Sequence, residues 1–226
     1  PIDLNNRPGL LSRAGGLIND NQILILGSSA IEDNQLFNRL FVINPKGNVI
    51  QYYDKQKLVL FGEYVPFIKP LVSRFLNLGM NYSSGNNQSL LQLPKDVPAI
   101  PMICFESIFN YKSINENICQ TNLVIQISND SWFGKWYGPQ QHLANSLLRS
   151  VEFQKTLIRS TPSGISAVIN PNGVIEKSIP NDQKNYLVYE YPINESLGYC
   201  QSKLLYSLFF LILIFVGSFV YVRVKK

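Results

Sequence analysis

The feature that most restricts this chain is a run of 19 residues without a charge, Leu204 to Val222, close to its C-terminus. At about 1.5 Å per residue, such a helix nearly spans a hydrocarbon layer of about 30 Å. Lys203 precedes the run, and Arg223, Lys225 and Lys226 follow it. Tyr206 and Tyr221 stand near its two ends, where interfacial aromatics belong. The expectation is a membrane helix over 204–222 with a basic tail at 223–226. The tail's charges favour a cytoplasmic C-terminus, which puts the preceding residues on the other side of the membrane.

The rest of the chain must then supply its own core. Of all 226 residues, 46% are hydrophobic, enough for a large core and too many for a disordered segment. The net charge of +5 is scattered rather than blocked, which argues against nucleic-acid binding. The three cysteines, Cys104, Cys119 and Cys200, show no CxxC spacing, and there is one histidine. A structural zinc site and a disulfide scaffold are both disfavoured, and no metal or cofactor is expected. The chain starts at Pro1 without a signal-peptide pattern, so it reads as a piece of something longer.

Short apolar runs bounded by turn residues predict strands at 21–30, 89–93 and 97–104, in "TNLVIQISND" and in "NYLVYEYPI". Two strand pairs turn at Pro45–Asn48 and at Pro171–Gly173. Residues 65–80 hold a possible short helix, and residues 107–118 read as helical. Leu143, Leu147, Leu148 and Val151 form one apolar face of a further helix. Strands outnumber helices, with the helices interleaved. That is an α/β or layered α+β domain over 1–195, followed by a connector at 196–203.

Three stretches carry candidate chemistry. "YDKQKLVLFGEYVP" holds Lys55, Lys57 and Glu63; "ICFES" holds Cys104 and Glu106; "ISNDSWFG" places Asn129 and Asp130 just after a strand. A cation beside a cysteine favours thiolate, and a carboxylate can take the proton. A buried structural thiol and solvated loop charges are the bland alternatives. His142 falls in the expected first turn of its helix and reads either as a structural residue or as a base.

Taken in order, these segments resemble the nitrilase, or carbon–nitrogen hydrolase, superfamily, and most nearly its apolipoprotein N-acyltransferase branch. The lysine motif of that family sets its lysine eight residues before the glutamate of the Phe-Gly-Glu triplet, which selects Lys55 over Lys57. "ICFES" resembles the nucleophile motif and selects Cys104, with Phe105 where the family usually has tyrosine. "SNDSWFG" with "GPQQHL" is similar to a segment of the acyltransferases, and "STPSGISAVINPNG" to a late strand-turn-strand.

The resemblance implies an α-β-β-α sandwich, incomplete at its N-terminus, and a Glu-Lys-Cys triad. It implies transfer of an acyl chain from a membrane phospholipid, through a Cys104 thioester, to the diacylglyceryl-cysteine amine of an apolipoprotein. Glu63 and Glu106 would orient Lys55. Phe105, Trp132, Phe133, Trp136 and Tyr137 would contact lipid or line the acyl cleft. The catalytic domain would face the periplasm from the bacterial inner membrane. The triad's base is a glutamate in a Trp-Pro-Glu context, and Asp3, Asp20, Glu32 and Asp33 do not match it. A chain without that base is expected to be inactive alone. A membrane-anchored amidase or nitrilase and a non-catalytic remnant are the alternatives.

Overall fold

The computed structural model describes residues 3–64, 81–86, 90–109, 120–134, 136–192, 210–212 and 214. Helix α1 (Pro8–Gly15) starts on a proline, whose missing N–H costs nothing in a first turn. Strands β1 (Leu24–Glu32), β2 (Gln35–Ile43) and β3 (Val49–Asp54) form an antiparallel sheet in sequence order. A second sheet has six strands: β4 (Leu91–Leu93), β5 (Val97–Ile103), β6 (Leu123–Ile127), β7 (Thr156–Ser160), β8 (Ser166–Ile169) and β9 (Ile175–Ile179). Its central strands β5, β6 and β7 are parallel, and the outer pairings are antiparallel. Between β6 and β7 runs helix α2 (Tyr137–Phe153).

The period-2 alternation of strand side chains explains the layering. Leu40, Val42 and Tyr53 of the first sheet pack on Leu91, Ala99, Ile103 and Leu123 of the second. The opposite faces turn outward. Phe41 and Ile43 pack with Leu11 of α1, while Ile100, Met102, Val124 and Leu157 pack with Leu143 and Phe153 of α2. The result is helix, sheet, sheet, helix, the expected α-β-β-α order. At the turn between β2 and β3, Gly47 takes φ 79°, a conformation glycine adopts without strain.

Some expectations change. Helix α2 buries His142, Leu143, Ser146, Ser150 and Phe153, whereas Leu148 and Val151 are exposed. Small serines rather than branched residues face the sheet, because a polar cluster lies beneath them. His142 is the sixth residue of α2, so it stands in the second turn, not the first. "NYLVYEYPI" forms no strand among its described residues, 185–192. Two side-chain bonds fasten it to the domain: the Lys177 ammonium donates to the Val188 carbonyl at 2.5 Å and the Tyr191 hydroxyl to the Asn122 carbonyl at 3.2 Å. Of the helix expected over 107–118, residues 107 and 108 belong to a 3-10 turn, Cys104–Ile108, that ends at Phe109 in extended backbone, and residues 110–119 lie outside the described residues. So do residues 65–80, Cys119, Cys200 and most of the run 204–222. No described helix is long and apolar enough to cross a membrane.

Candidate functional site

Polar residues gather at the carboxyl ends of the parallel strands, the end at which α/β sheets commonly bind ligands. Strand β5 runs straight into Cys104, which opens the 3-10 turn Cys104–Ile108. Cys104 has φ 52°, a left-handed conformation unusual for a residue with a Cβ. It is half-buried, so its thiol is neither sealed into the core nor fully in water. Holding such backbone requires surrounding constraints, and strained residues of this kind cluster at active sites.

One constraint is Glu106, two residues on and fully buried. Its carboxylate accepts from the Ile103 amide at 2.7 Å, the Gln56 amide at 2.8 Å, the Lys57 amide at 3.2 Å and the Tyr53 hydroxyl at 2.9 Å. One side chain thus ties the end of β3 to the end of β5 and brings the lysine and cysteine segments together. Burial pushes the Glu106 carboxyl above its ordinary range, and its four donors pull it back part of the way. Burial, and then the Glu106 charge, raise the Tyr53 phenol. None of the four donors is the Lys55 ammonium. The expectation that Glu106 orients the lysine therefore becomes a different role, orienting backbone.

Glu63 does meet the lysine. Lys55 is fully buried, and its ammonium lies 2.6 Å from the Glu63 carboxylate. The Val59 amide (2.8 Å) and the Asn38 side-chain amide (2.9 Å) donate to the same carboxylate. The eight-residue spacing that singles out Lys55 corresponds to this pair, while Lys57 contributes a backbone amide to Glu106. Just before Lys55, buried Arg39 donates to both oxygens of Asp54, at 2.6 and 2.8 Å, pinning β2 to β3. The polar loop at 81–86 closes over this corner. The Gly85 amide donates to the Lys55 carbonyl at 2.9 Å, and a Cβ on Gly85 would collide with the Asp54 backbone. Beside it opens a cavity of about 560 Å³ lined by Gln56, Lys57, Leu58, Tyr64, Tyr82 and Phe109. A substrate group could enter there.

Of the expected lipid contacts, Trp132, Trp136 and Tyr137 are 76%, 82% and 78% exposed, and Phe133 is partly exposed. They flank the 3-10 turn Asp130–Phe133 and the start of α2. Phe105 is half-buried and meets the Phe109 ring edge-on at 5.9 Å.

A second polar cluster was not singled out in the sequence beyond Asp130 and His142. Asp130, His142, Gln126, Ser146 and Arg159 are all buried. The Arg159 guanidinium reaches Asp130 at 2.5 Å, and His142 Nδ1 lies 2.8 Å from the other Asp130 oxygen. Burial alone would raise the Asp130 carboxyl. The His142 bond, the Arg159 charge and the Ser128 hydroxyl outweigh it and hold the pKa below the usual carboxylate range. Among the early acidic residues, Glu32 is engaged by Arg39 at 2.7 Å, and Asp3 accepts from the Asn5 and Ile31 amides and the Asn6 side chain. No described group of His, Cys, Asp and Glu is arranged to hold a metal ion.

The chain's resemblance to characterised proteins agrees with this geometry. The carbon-nitrogen hydrolase family profile matches residues 11–196. An apolipoprotein N-acyltransferase of Rhizobium leguminosarum bv. trifolii is 34% identical over 198 residues, covering 83% of this chain. One from Rhizobium meliloti is 34% identical over 77% of it. The chain spans 37% and 35% of the length of these two relatives. Among solved structures, a CN-hydrolase superfamily protein of Xanthomonas campestris superposes with a TM-score of 0.58 at 16% identity, over 80% of this chain and 67% of that one. A Nesterenkonia amidase, solved with a covalent acetamide adduct at its active-site cysteine, gives 0.57 at 17% identity, over 80% and 65%. With the profile over most of its length and its four layers in the matching order, the chain belongs to the carbon–nitrogen hydrolase family.

Proposed function

We propose that this chain carries the acyl-transfer centre of a lipoprotein N-acyltransferase, with Cys104 as nucleophile. The observation that carries the reading is the junction at Glu106: one buried carboxylate joins the segment of the buried Lys55–Glu63 pair to the strained turn of Cys104. The likeness to the N-acyltransferases supports the choice of substrate.

In this reading the Cys104 thiolate attacks the ester carbonyl carbon of a phospholipid. A C–S bond forms, the carbonyl electrons move to oxygen, and Lys55 stabilises the oxyanion. Collapse breaks the ester C–O bond and releases the lysophospholipid, whose alkoxide takes up a proton. The α-amine of a diacylglyceryl-cysteine then attacks the thioester. A C–N bond forms, the C–S bond breaks, and the thiolate returns. The amine's proton needs an acceptor, the role of the family's glutamate base, and no glutamate of this sequence has the matching context. The chain alone should therefore form acyl-enzyme slowly and transfer little.

Trp132, Phe133, Trp136 and Tyr137 would lie against lipid, held there by the apolar run 204–222 as a membrane anchor in the bacterial inner membrane, with the domain on the periplasmic side. Water in place of the amine would make the centre an amidase-like hydrolase.

The test incubates the chain in phospholipid vesicles with a diacylglyceryl-cysteine peptide, and separately with an activated acyl ester. The expected result is a hydroxylamine-labile acyl group on Cys104 from the activated ester, with little peptide acylation. An unlabelled Cys104 in folded protein would sink the reading in favour of a non-catalytic remnant. Hydrolysis of a soluble amide would replace it with the amidase. Rapid peptide acylation would overturn the expectation of inactivity.

A further inference from the structure

Cys104 is gripped from behind as well as from the side. Its carbonyl oxygen accepts from His142 Nε2 at 3.0 Å and from the Gln126 side-chain amide at 3.2 Å. A carbonyl can only accept, so Nε2 carries the proton. The other ring nitrogen faces the Asp130 carboxylate at 2.8 Å and the Arg159 guanidinium at 3.0 Å. One is an acceptor and the other a donor, so Nδ1 has a partner whether or not it bears a proton. Ser146 ties the remaining members together, donating to Gln126 at 2.7 Å and accepting from Arg159 at 3.2 Å.

The strand register builds this cluster. Met102, Gln126 and Arg159 are consecutive cross-strand partners on β5, β6 and β7, so all three point to the α2 face. Met102 belongs to the apolar core there, while Gln126 and Arg159 meet His142 and Ser146 of the helix. Gly164 lets the Asp130 carboxylate lie close against the backbone, since a Cβ there would run into it. A polar knot costs more to bury than apolar residues of the same volume, and a plain core position offers no reason to keep one. This knot ends on the carbonyl of the one described cysteine, a residue whose backbone is left-handed.

We propose that His142, held by Asp130, and Gln126 are positioning residues for Cys104: by clamping its carbonyl they fix the turn that aims the sulfur at substrate. This rests on the reading of Cys104 as the nucleophile.

The test is the rate at which iodoacetamide alkylates Cys104 in the full chain, followed by peptide mass mapping so that Cys119 and Cys200 are read separately. A urea unfolding curve accompanies each variant. His142→Phe keeps the ring's bulk and removes the donor; the Cys104 rate should fall about ten-fold. His142→Gln restores an N–H near Nε2 and should recover to within about two-fold of the parent, a rescue that core filling alone does not explain. If His142→Phe does not fold, Gln126→Met removes the other donor and should slow Cys104 likewise. A parent-like rate in the folded donor-free variant, or a His142→Gln rate as low as that of His142→Phe, overturns the proposal. Lys55→Met separates the two readings. If it leaves the Cys104 rate unchanged, the nucleophile assignment fails; if it slows Cys104 while the donor-free variants do not, only the positioning role fails.

Discussion

Two buried carboxylates flank the Cys104 turn, and they are held in opposite ways. Glu106 is surrounded by four neutral donors, three backbone amides and a phenol, and burial leaves its carboxyl pKa raised. Asp130 sits between a guanidinium and an imidazole, and its pKa is lowered. Neutral donors satisfy a carboxylate's lone pairs but do not cancel its charge; a cation does both. The first arrangement fixes backbone to backbone. The second connects helix α2 and strand β7 to a single carbonyl.

The largest effect should come from emptying the first site. Glu106→Ala leaves three amides and a hydroxyl buried without their acceptor, and should cost about 4 kcal/mol in urea unfolding. Asp130→Ala strands a buried guanidinium and should cost about 3 kcal/mol. A loss below about 1 kcal/mol for either would mean that the pocket relaxes or admits water, and the contrast would lose its basis.

The pH dependence sharpens the comparison because the signs differ. Asp130 titrates in the folded state below its ordinary 3.8, so its stabilisation is complete above that value and drains away as pH falls further. Asp130→Asn should flatten that acid limb. Glu106 titrates above its ordinary 4.5 when folded, so its ionised form weakens folding, and stability should rise as pH falls from its raised value toward 4.5. Glu106→Gln should remove that component. Urea midpoints between about pH 2 and pH 8 read both limbs; the same sign for the two variants would refute the contrast. The smallest effect belongs to Tyr53→Phe. It removes one of the four donors and should cost about 1 kcal/mol in the same unfolding assay.

The first site was far more legible in the sequence than the second. Lys55, Glu63, Cys104 and Glu106 lie in two short motifs whose spacing reflects local geometry, and the Lys55–Glu63 bond follows that spacing. The strand pattern likewise exposed the layers, because alternation marks which face is buried. The Asp130–His142–Arg159 cluster is assembled from three segments by sheet register, which no local window displays. One signal was present: Gln126 interrupts the apolar run of β6, and Ser146 and Ser150 sit where α2 should be apolar. The face assigned to Leu148 and Val151 was wrong for the same reason, since periodicity counts apolar residues and the buried stripe is partly polar. "NYLVYEYPI" has the alternation of a strand, yet its described residues, 185–192, form none, because alternation marks faces and does not by itself supply an adjacent strand.

The central claim is that Lys55 serves the Cys104 sulfur as it takes up an acyl group. Its most direct test is the rate of Cys104 acylation by an activated acyl ester in the parent chain and in Lys55→Met, with unfolding curves to show that both are folded. Lys55→Met should slow acylation about a hundred-fold. Equal rates in the two folded proteins would contradict it.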